Sequence, residues 1–253
     1  MIFDIHNDIM TAHGENAEKF ILQNMVVLVI WATRLTQWDA FTLARKANTI
    51  SRTAFEDISF VDDITKLLEV NPLYCSLTWN YDNKFAGGAL QDGELTGLGK
   101  DAIEFLNSAN IPLDTAHLNR KSFFEAVTCA DKVLCSHTCF DYVCSHPRNL
   151  TKEQIAYIIE KNGIIGITFV SEFLSCRKAK VDDIVRHIDY FVQRFGVNNL
   201  AIGTDFFGTT PVNGILNYSN FSKIFDRLIS LGYSQENIDR ISYKNAQEFF
   251  MKT

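Results

Sequence analysis

The chain alternates short apolar runs with amphipathic stretches along most of its length. The run Met25–Trp31 is almost entirely valine, isoleucine and leucine, which is typical of a strand buried on both faces of a parallel sheet. Similar runs recur at intervals that leave room for a helix between them. They predict strands at Ile2–His6, Met25–Trp31, Ala54–Ile58, Leu73–Thr78, Ile111–Ala116, Lys132–Ser136, Gly163–Phe169 and Leu200–Thr204.

The stretches between these runs carry apolar residues at helical spacing. Val181–Phe195 is the clearest, and Gly196 follows it as a typical residue beyond a helix end. Thr151–Lys161 begins with a capping threonine and has the acidic Glu153 in its first turn. Further helices are predicted at Thr36–Ile50, Val61–Val70, Gly99–Ala109, Lys121–Cys129, Ser219–Leu231 and Ser234–Met251.

Strands that alternate with helices favour an α/β fold with a parallel sheet. Eight strands are the number that closes a (β/α)8 TIM barrel, so we predict one such barrel over residues 1–253. An open doubly wound sheet is the alternative. Gly97-Leu98-Gly99 lacks the third glycine of a dinucleotide fingerprint, which weighs against that alternative.

The composition excludes some classes of function. The 253 residues carry a formal net charge of −6 and no long basic run, which argues against nucleic-acid binding. The apolar run from Met25 to Ala32 is too short to span a bilayer. A predicted strand at Ile2–His6 leaves no signal peptide, and the six cysteines form no CxxC pair. We therefore expect reduced thiols, a cytoplasmic location and no membrane span.

Candidate metal ligands follow the predicted strands. Alternate side chains of a strand point the same way, so His6 and Asp8 can place an imidazole nitrogen and a carboxylate oxygen at one point. This pairing suits a divalent metal with mixed nitrogen and oxygen preference. In a β/α barrel the carboxyl ends of all strands open on the face where active sites lie. The remaining candidates at strand ends are Glu56, His117, His137 and Asp205.

Three histidines and three carboxylates at one face can hold two metal ions. Glu56 can bridge them, because a carboxylate has two oxygens. Two metals about 3.5–4 Å apart hold a hydroxide and lower its pKa enough for attack near neutral pH. Taken singly, Glu56 could be a helix N-terminal acid and Asp205 an N-cap, but their joint placement favours a metal site. The other histidines are excluded from that site: His13, His146 and His187.

A series of sequence blocks in a specific order carries a family resemblance. The Ser-His and His-Pro-Arg-Asn blocks are the most diagnostic. The blocks are Asp4-Ile5-His6-Asn7-Asp8, Ala54-Phe55-Glu56, Leu77-Thr78-Trp79-Asn80 with Asn83, Leu95-Thr96-Gly97-Leu98-Gly99, Asp114-Thr115-Ala116-His117, Ser136-His137, His146-Pro147-Arg148-Asn149-Leu150-Thr151, Gly163-Ile164-Ile165-Gly166-Ile167 and Gly203-Thr204-Asp205-Phe206. The chain thus resembles the membrane (renal-type) dipeptidase family of zinc metallopeptidases.

The resemblance implies a barrel of the metallo-dependent hydrolase type with two zinc ions per chain. It implies the following roles: His6, Asp8 and Asp205 around one zinc, His117 and His137 around the other, Glu56 between them, and Arg148 at the C-terminal carboxylate of the substrate. A guanidinium fork matches a carboxylate in two hydrogen bonds and so selects short peptides that end within its reach. A surface ion pair is the simpler alternative for Arg148.

The predicted reaction is hydrolysis of a dipeptide amide bond. One zinc polarises the carbonyl, the bridging hydroxide attacks it, and Asp205 passes the proton to the leaving amine. Two alternatives stay open. The first is a related amidohydrolase that acts on another small carboxylate-bearing amide, and the second is a metal-binding barrel that has lost turnover. A homodimer is also left open.

The chain departs from the family in three places. Well-known animal members carry a histidine next to the substrate where this chain has Trp79, and tryptophan keeps one N–H donor but cannot accept a proton. Phe207 stands where the family usually has an aspartate, and its bulk is expected to reshape the mouth of the site. The segment between Asp8 and Glu56 is short for the family, which implies a shortened region after the first strand.

Overall fold

The structure is a computed structural model that describes residues 1–13, 17–21, 23–32, 35–210 and 212–251. Within these residues eight parallel strands close into a barrel in chain order. The strands are β1 Phe3–Asn7, β2 Met25–Trp31, β3 Arg52–Glu56, β4 Cys75–Ser76, β5 Leu113–Asp114, β6 Val133–Thr138, β7 Ile164–Ile167 and β8 Leu200–Ile202. The predicted (β/α)8 barrel is confirmed, and the open doubly wound sheet is wrong.

Each strand overlaps one of the predicted apolar runs, and β2 has the predicted bounds. β1 pairs with both β2 and β8, and the pair Asp4–Ile202 closes the ring. Trp31 and Glu56 are partners at the carboxyl ends of β2 and β3. Their side chains therefore leave neighbouring strands at the same rim of the barrel, which is the rim where the candidate site lies.

Helices surround the barrel: α1 Ile9–His13, α2 Ala17–Ile21, α3 Gln37–Asn48, α4 Gly97–Ser108, α5 Arg120–Cys129, α6 Lys152–Glu160, α7 Ser171–Leu174, α8 Val181–Phe195, α9 Ser222–Ser230, α10 Gln235–Asp239 and α11 Asn245–Met251. Short polar side chains cap several of them. Thr151 accepts the Gln154 N–H while the Gln154 side chain accepts the Thr151 N–H, so α6 begins with a complete capping box. The prediction of α8 is confirmed at both ends.

Some helix predictions needed correction. The stretch Val61–Val70 contains a 3₁₀ helix at Ile64–Glu69 rather than an α-helix. The predicted C-terminal helix Ser234–Met251 is interrupted by a π-helical turn at Arg240–Lys244 between α10 and α11. The short helices α1, α2 and α7 were not predicted, because a segment of four or five residues holds too little periodicity to be recognised.

Apolar side chains fill the barrel near the amino ends of the strands. Phe3, Ile5, Val27 and Leu134 are buried there together and belong to one cluster. Towards the carboxyl ends the interior turns polar, and His6 and Ser136 are completely buried. A second, larger apolar layer joins the outer helices to the barrel wall. None of the helices in the described residues combines the length and apolar character needed to cross a membrane.

Candidate metal centre and active site

The six predicted ligands converge on the carboxyl rim of the barrel. His6 lies in β1 and His137 in β6, Glu56 ends β3, and all three are buried. His117 and Asp205 follow β5 and β8 with left-handed backbone angles, φ 69° and φ 59°. Non-glycine residues seldom adopt this conformation, and it persists where the surrounding structure imposes it, often at functional sites. Asp8 follows β1 and is also buried.

Glu56 lies at the centre of this cluster. Its Oε2 is 3.1 Å from His6 Nε2 and 3.9 Å from His137 Nε2, and its Oε1 is 3.4 Å from His117 Nε2. Asp8 Oδ2 is 3.6 Å from His6 Nε2. Glu56 therefore presents one oxygen to His117 and the other to His6 and His137, so it contacts all three imidazoles.

The ligand atoms form two overlapping groups, and within each group all atoms lie within 4.8 Å of one another. One joins His6, Glu56 and His137, and the other joins His6, Asp8 and Asp205. Gly208 leaves room for the second group, because a Cβ at this position would collide with carboxylate oxygens of Asp205 and Asp8.

The hydrogen bonds of the imidazoles show which nitrogens face the centre. His117 Nδ1 is 2.8 Å from Asn80 Oδ1, and His137 Nδ1 is 2.9 Å from Ser136 Oγ. With the Asn80 amide oxygen in this orientation, His117 Nδ1 carries the proton. The Ser136 hydroxyl donates to Asp114, so His137 Nδ1 carries a proton as well. The lone pairs of both Nε2 atoms then face the centre, only 2.9 Å apart.

This arrangement fits bound cations. Two unprotonated imidazole nitrogens at such a distance repel each other unless a positive charge lies beside them, and Arg148 Nη2, 2.7 Å from His137 Nε2, supplies one on the cavity side. Among the described residues His6 Nε2 is buried and makes no hydrogen bond of good geometry, although carboxylate oxygens of Glu56 and Asp8 approach it to 3.1 and 3.6 Å. Leaving a buried polar atom unpaired costs free energy, and a metal ion would remove that cost. The donor set of imidazole nitrogens and carboxylate oxygens suits zinc and similar divalent metals.

The electrostatics of the cluster point the same way. Burial raises the pKa of Asp205 well above its ordinary value, and the neighbouring Asp8 raises it further. Burial alone would lower the pKa of His6, but the contacts with Asp8 and Glu56 raise it well above its ordinary value. A divalent cation would replace these protons as the positive charge that the carboxylates require.

A cavity of about 240 Å³ opens directly above the cluster. One side is apolar: the Trp31 and Trp79 rings lie 5.1 Å apart between their centroids, and Leu90 lines the cavity beside them. The other side carries the buried Arg148, whose Nη2 is 2.7 Å from His137 Nε2. The surface ion pair considered for Arg148 is therefore wrong.

Phe173 supports the cationic side of the cavity. The Arg148 guanidinium lies 5.3 Å over its ring, and the His146 ring lies 4.5 Å from it between centroids. His146 Nδ1 accepts the Arg148 backbone N–H at 3.1 Å. The sequence excluded His146 from the metal ligands, and the structure instead places it in the cavity wall beside Arg148.

Several other residues differ from expectation or were missed. The ring of Phe207 packs on Phe20, 4.7 Å between centroids, and the cavity lining does not include it. Its expected effect on the mouth of the site stays a prediction. Asn80 and Ser136 contact ligand imidazoles, and Asp114 accepts the Ser136 hydroxyl. These roles were not predicted, although all three residues lie within the family-like blocks.

His187 is not part of this cluster. His187 lies in α8, completely buried, and both of its nitrogens have protein partners. Its predicted structural role agrees with these contacts. His13 is the last residue of α1, and its side chain lies outside the described part of the chain.

A closed (β/α)8 barrel with a buried histidine and carboxylate cluster at its carboxyl rim defines a metal-dependent hydrolase of the TIM-barrel class. The chain belongs to the membrane dipeptidase family (peptidase family M19), whose family model matches residues 53–253. The resemblance found in the sequence is thereby confirmed, and it places the chain among the metallopeptidases.

Two curated relatives illustrate how far the similarity reaches. An uncharacterized protein in the pqqA 5′ region of Klebsiella pneumoniae is 30% identical over 183 residues, which cover 66% of this chain and 67% of that protein. Dipeptidase tcpJ of Claviceps purpurea is 24% identical over 180 residues, which cover 68% of this chain and 42% of that protein. The chain therefore matches less than half the length of the latter relative.

Solved structures share the fold over almost the whole length. The dipeptidase AC, a metallopeptidase of family M19, superimposes with a TM-score of 0.86 at 19% identity and covers 98% of this chain and 97% of its own. A Rhodobacter sphaeroides metallopeptidase bound to a phosphinate mimic of the dipeptide L-Ala-D-Ala also gives 0.86, at 18% identity, with coverages of 100% and 99%. At these identities the likeness shows the barrel fold.

Proposed function

We propose that this protein is a zinc-dependent dipeptidase with two zinc ions per chain. The observation that carries the proposal is the convergence of six buried or partly buried metal donors beneath a cavity that also contains a buried arginine. The family and the dipeptidase relative support the same activity.

The donors divide into two sets around Glu56. His6, Asp8 and Asp205 would hold one zinc ion, His117 and His137 the other, and the two oxygens of Glu56 would reach both. The 3.6 Å contact of Asp8 with His6 supports the first set, and the 2.9 Å between His117 Nε2 and His137 Nε2 supports the second. Glu56 Oε2 faces both His6 and His137, one imidazole of each set. When bound, the two ions would supply Lewis acidity towards the scissile carbonyl and lower the pKa of an attacking water.

Arg148 would orient the substrate by its C-terminal carboxylate. Its side chain is buried and reaches His137, so a carboxylate on its guanidinium lies only a few ångströms from the metal donors. This short separation leaves space for one residue between the carboxylate and the scissile bond. A longer peptide would extend past Arg148 without meeting it through its terminus, which explains a preference for dipeptides.

Asp205 would move the proton. It lies in the rim turn after β8, beside Asp8, and faces the cavity. A carboxylate at this position can take a proton from the attacking water and deliver it to the amine that leaves. The aromatic side of the cavity, Trp31 and Trp79, would accommodate the N-terminal residue and favour an apolar side chain there.

The proposal is tested with purified, zinc-loaded protein and a panel of L-L and L-D dipeptides. We expect hydrolysis by the wild type and its loss in Asp205→Asn, which keeps the shape of the side chain and removes the proton acceptor. Hydrolysis by the variant at the wild-type rate would contradict the role of Asp205.

The same panel separates the two alternative functions. Cleavage of an N-acyl amino acid but of no dipeptide would identify a related amidohydrolase. Two bound zinc ions without turnover on either class of substrate would identify a metal-binding barrel that has lost catalysis.

A further inference from the structure

We propose that Ser136 is a positioning residue that couples the two metal sites. Its single hydroxyl holds one imidazole of each site, His6 and His137, in the tautomer that points Nε2 at the metal. The inference rests on the proposed function, because the two ions are those proposed for the dipeptidase centre.

The proton of the Ser136 hydroxyl is directed at Asp114. Ser136 Oγ donates to Asp114 Oδ2 at 2.5 Å. The other carboxylate oxygen, Asp114 Oδ1, accepts the backbone N–H groups of Ser136 and Ala116 at 2.9 and 3.0 Å. These two bonds fix the orientation of the carboxylate, so that Oδ2 faces the serine. The hydroxyl proton is therefore committed to Asp114.

The lone pairs of the Ser136 hydroxyl face two imidazoles. Ser136 Oγ lies 3.0 Å from His6 Nδ1 and 2.9 Å from His137 Nδ1. Because the hydroxyl proton is already engaged, the imidazoles must donate in both contacts. Each ring then carries a proton on Nδ1, and its Nε2 can bind metal. The two rings lie with centroids 3.7 Å apart and planes tilted by 35°, which brings both within reach of one oxygen.

An independent contact gives the same tautomer for His6. The Tyr74 hydroxyl donates to the Ile5 carbonyl at 2.7 Å, so its oxygen acts as an acceptor towards His6 Nδ1 at 3.2 Å. His6 Nδ1–H thus points at two acceptors. The assignment for His6 therefore does not depend on the Ser136 contact alone.

The barrel holds the serine firmly in place. Ser136 is completely buried in β6. Gly166 lies in the neighbouring strand β7 and Gly203 directly follows β8. A Cβ on either would come within 1.9 or 1.8 Å of the Ser136 carbonyl oxygen. The strands approach so closely that the hydroxyl has little freedom to adopt another geometry.

This arrangement differs from the support of the third imidazole. His117 has its own partner, Asn80, which contacts no other imidazole of the cluster in the described part of the chain. Loss of Asn80 would weaken one metal site, whereas loss of the Ser136 hydroxyl would release a ligand of each site. The difference gives the proposal a signature that a purely structural serine would not produce.

The first experiment measures zinc affinity by chelator competition in the wild type, Ser136→Ala and Ser122→Ala. Ser122 is the matched control, because it is equally buried and bonds the Gly87 N–H away from the cluster. Removing a partner that orients a metal ligand typically costs 10–100-fold in affinity, so we expect both zinc equivalents of Ser136→Ala to weaken by about that factor. Ser122→Ala should bind both as the wild type does.

The outcomes separate the two proposals. Weakening of only one equivalent, or of neither, in Ser136→Ala would overturn the coupling and leave the dipeptidase proposal intact. Failure of the wild type to bind two zinc ions would overturn the dipeptidase centre and the coupling together. Asn80→Ala, which should weaken one equivalent, serves as the reference for a single-site effect.

A second variant covers the case in which Ser136→Ala does not fold. In Asp114→Asn the Oδ1 atom must still accept the two backbone N–H groups, so the new amide nitrogen faces Ser136 Oγ and donates to it. The hydroxyl proton is then released to the imidazoles, so one of the two rings, His6 or His137, should lose its Nδ1–H. The ¹⁵N chemical shifts of the imidazoles in metal-free protein report this directly, and an unchanged tautomer in both rings would overturn the proposal.

Discussion

Buried histidines occur in two regions of this barrel, and their surroundings differ. At the carboxyl rim, His6, His117 and His137 each have a protein partner on Nδ1 and direct Nε2 towards the other donors. Between the β6 loop and α8, His187 Nδ1 accepts the Phe140 N–H at 3.2 Å and Nε2 donates to the Leu174 carbonyl at 3.1 Å. Burial is common to both regions, but at the rim His6 Nε2 has no hydrogen-bond partner among the described residues, whereas both nitrogens of His187 have one.

The comparison shows what distinguishes a candidate ligand from a structural histidine. A buried nitrogen without a hydrogen-bond partner destabilises the fold, so a fold retains it where binding compensates the cost. The rim contains three imidazoles that each direct one nitrogen towards the centre. His187 instead joins a loop, a short helix and a long helix, and its contribution is to stability. The predictions below follow from this difference.

The largest effect is expected from removal of the metal. Chelation should reduce dipeptide hydrolysis by about 1000-fold or more, because metal-assisted hydrolysis depends on several kcal/mol of charge stabilisation. Zinc added back should restore the rate. Elemental analysis should verify that the chelated protein contains no metal. Full activity of such metal-free protein would contradict the proposal that the histidines at the rim bind a catalytic metal.

The second effect concerns stability and pH at His187. Burial lowers the pKa of His187 to about 4, from an ordinary value of 6.5. The unfolded chain therefore binds this proton first as the pH falls. The stabilisation is complete above about pH 6.5 and decreases down to about pH 4, and the difference in pKa corresponds to about 3 kcal/mol.

Urea unfolding of the wild type and His187→Gln at pH 7 and pH 4.5 measures this contribution. At pH 7 the variant should be less stable, because glutamine cannot reproduce both hydrogen bonds of the ring. Between the two pH values the wild type should lose more unfolding free energy than the variant. An equal loss in both proteins would show that another group dominates the acid transition.

The third effect concerns the cationic side of the cavity. Arg148→Lys should raise KM for dipeptides by about 10–100-fold, because a single ammonium replaces the bidentate fork and a charged hydrogen bond contributes about 1.5–3 kcal/mol. The control is Arg120→Lys, because Arg120 is an exposed arginine that forms an ion pair with Asp141. An unchanged KM for Arg148→Lys would contradict the proposal that Arg148 binds the substrate carboxylate.

The sequence predicted the barrel well because strands buried on both faces read as continuous apolar runs, as Met25–Trp31 does. It predicted the six candidate ligands because chemistry in this fold gathers at strand ends, where such residues are conspicuous. It could not reveal the partners of those ligands. Ser136 and Asp114 are ordinary strand residues in sequence, and only the barrel places them beside His6, which is 130 residues away from Ser136.

The direction of individual side chains was the other feature that the sequence could not predict. Phe207 was expected at the mouth because it follows Asp205 closely, but its own left-handed backbone, φ 72°, accompanies packing of its ring on Phe20. His146 looked like a loop residue because its contacts, Arg148 and Phe173, depend on how the β6 and β7 loops meet. Spacing along the chain does not encode either direction.

The smallest effect is expected on the aromatic side. Trp79 packs against Trp31 and lies 6.1 Å from the His117 ring between centroids, so it can contact the N-terminal residue of a bound dipeptide. Trp79→Ala should lower kcat/KM about 10-fold for a dipeptide with N-terminal phenylalanine, because an aromatic pair contributes about 0.5–1.5 kcal/mol beyond its buried area. An N-terminal glycine offers no ring, and its kcat/KM should change little. Trp38→Ala, at a tryptophan of α3 that is 71% exposed and outside the cavity lining, should affect neither substrate. Equal losses for both dipeptides in Trp79→Ala would mean that Trp79 supports the metal centre through His117 rather than selecting the substrate.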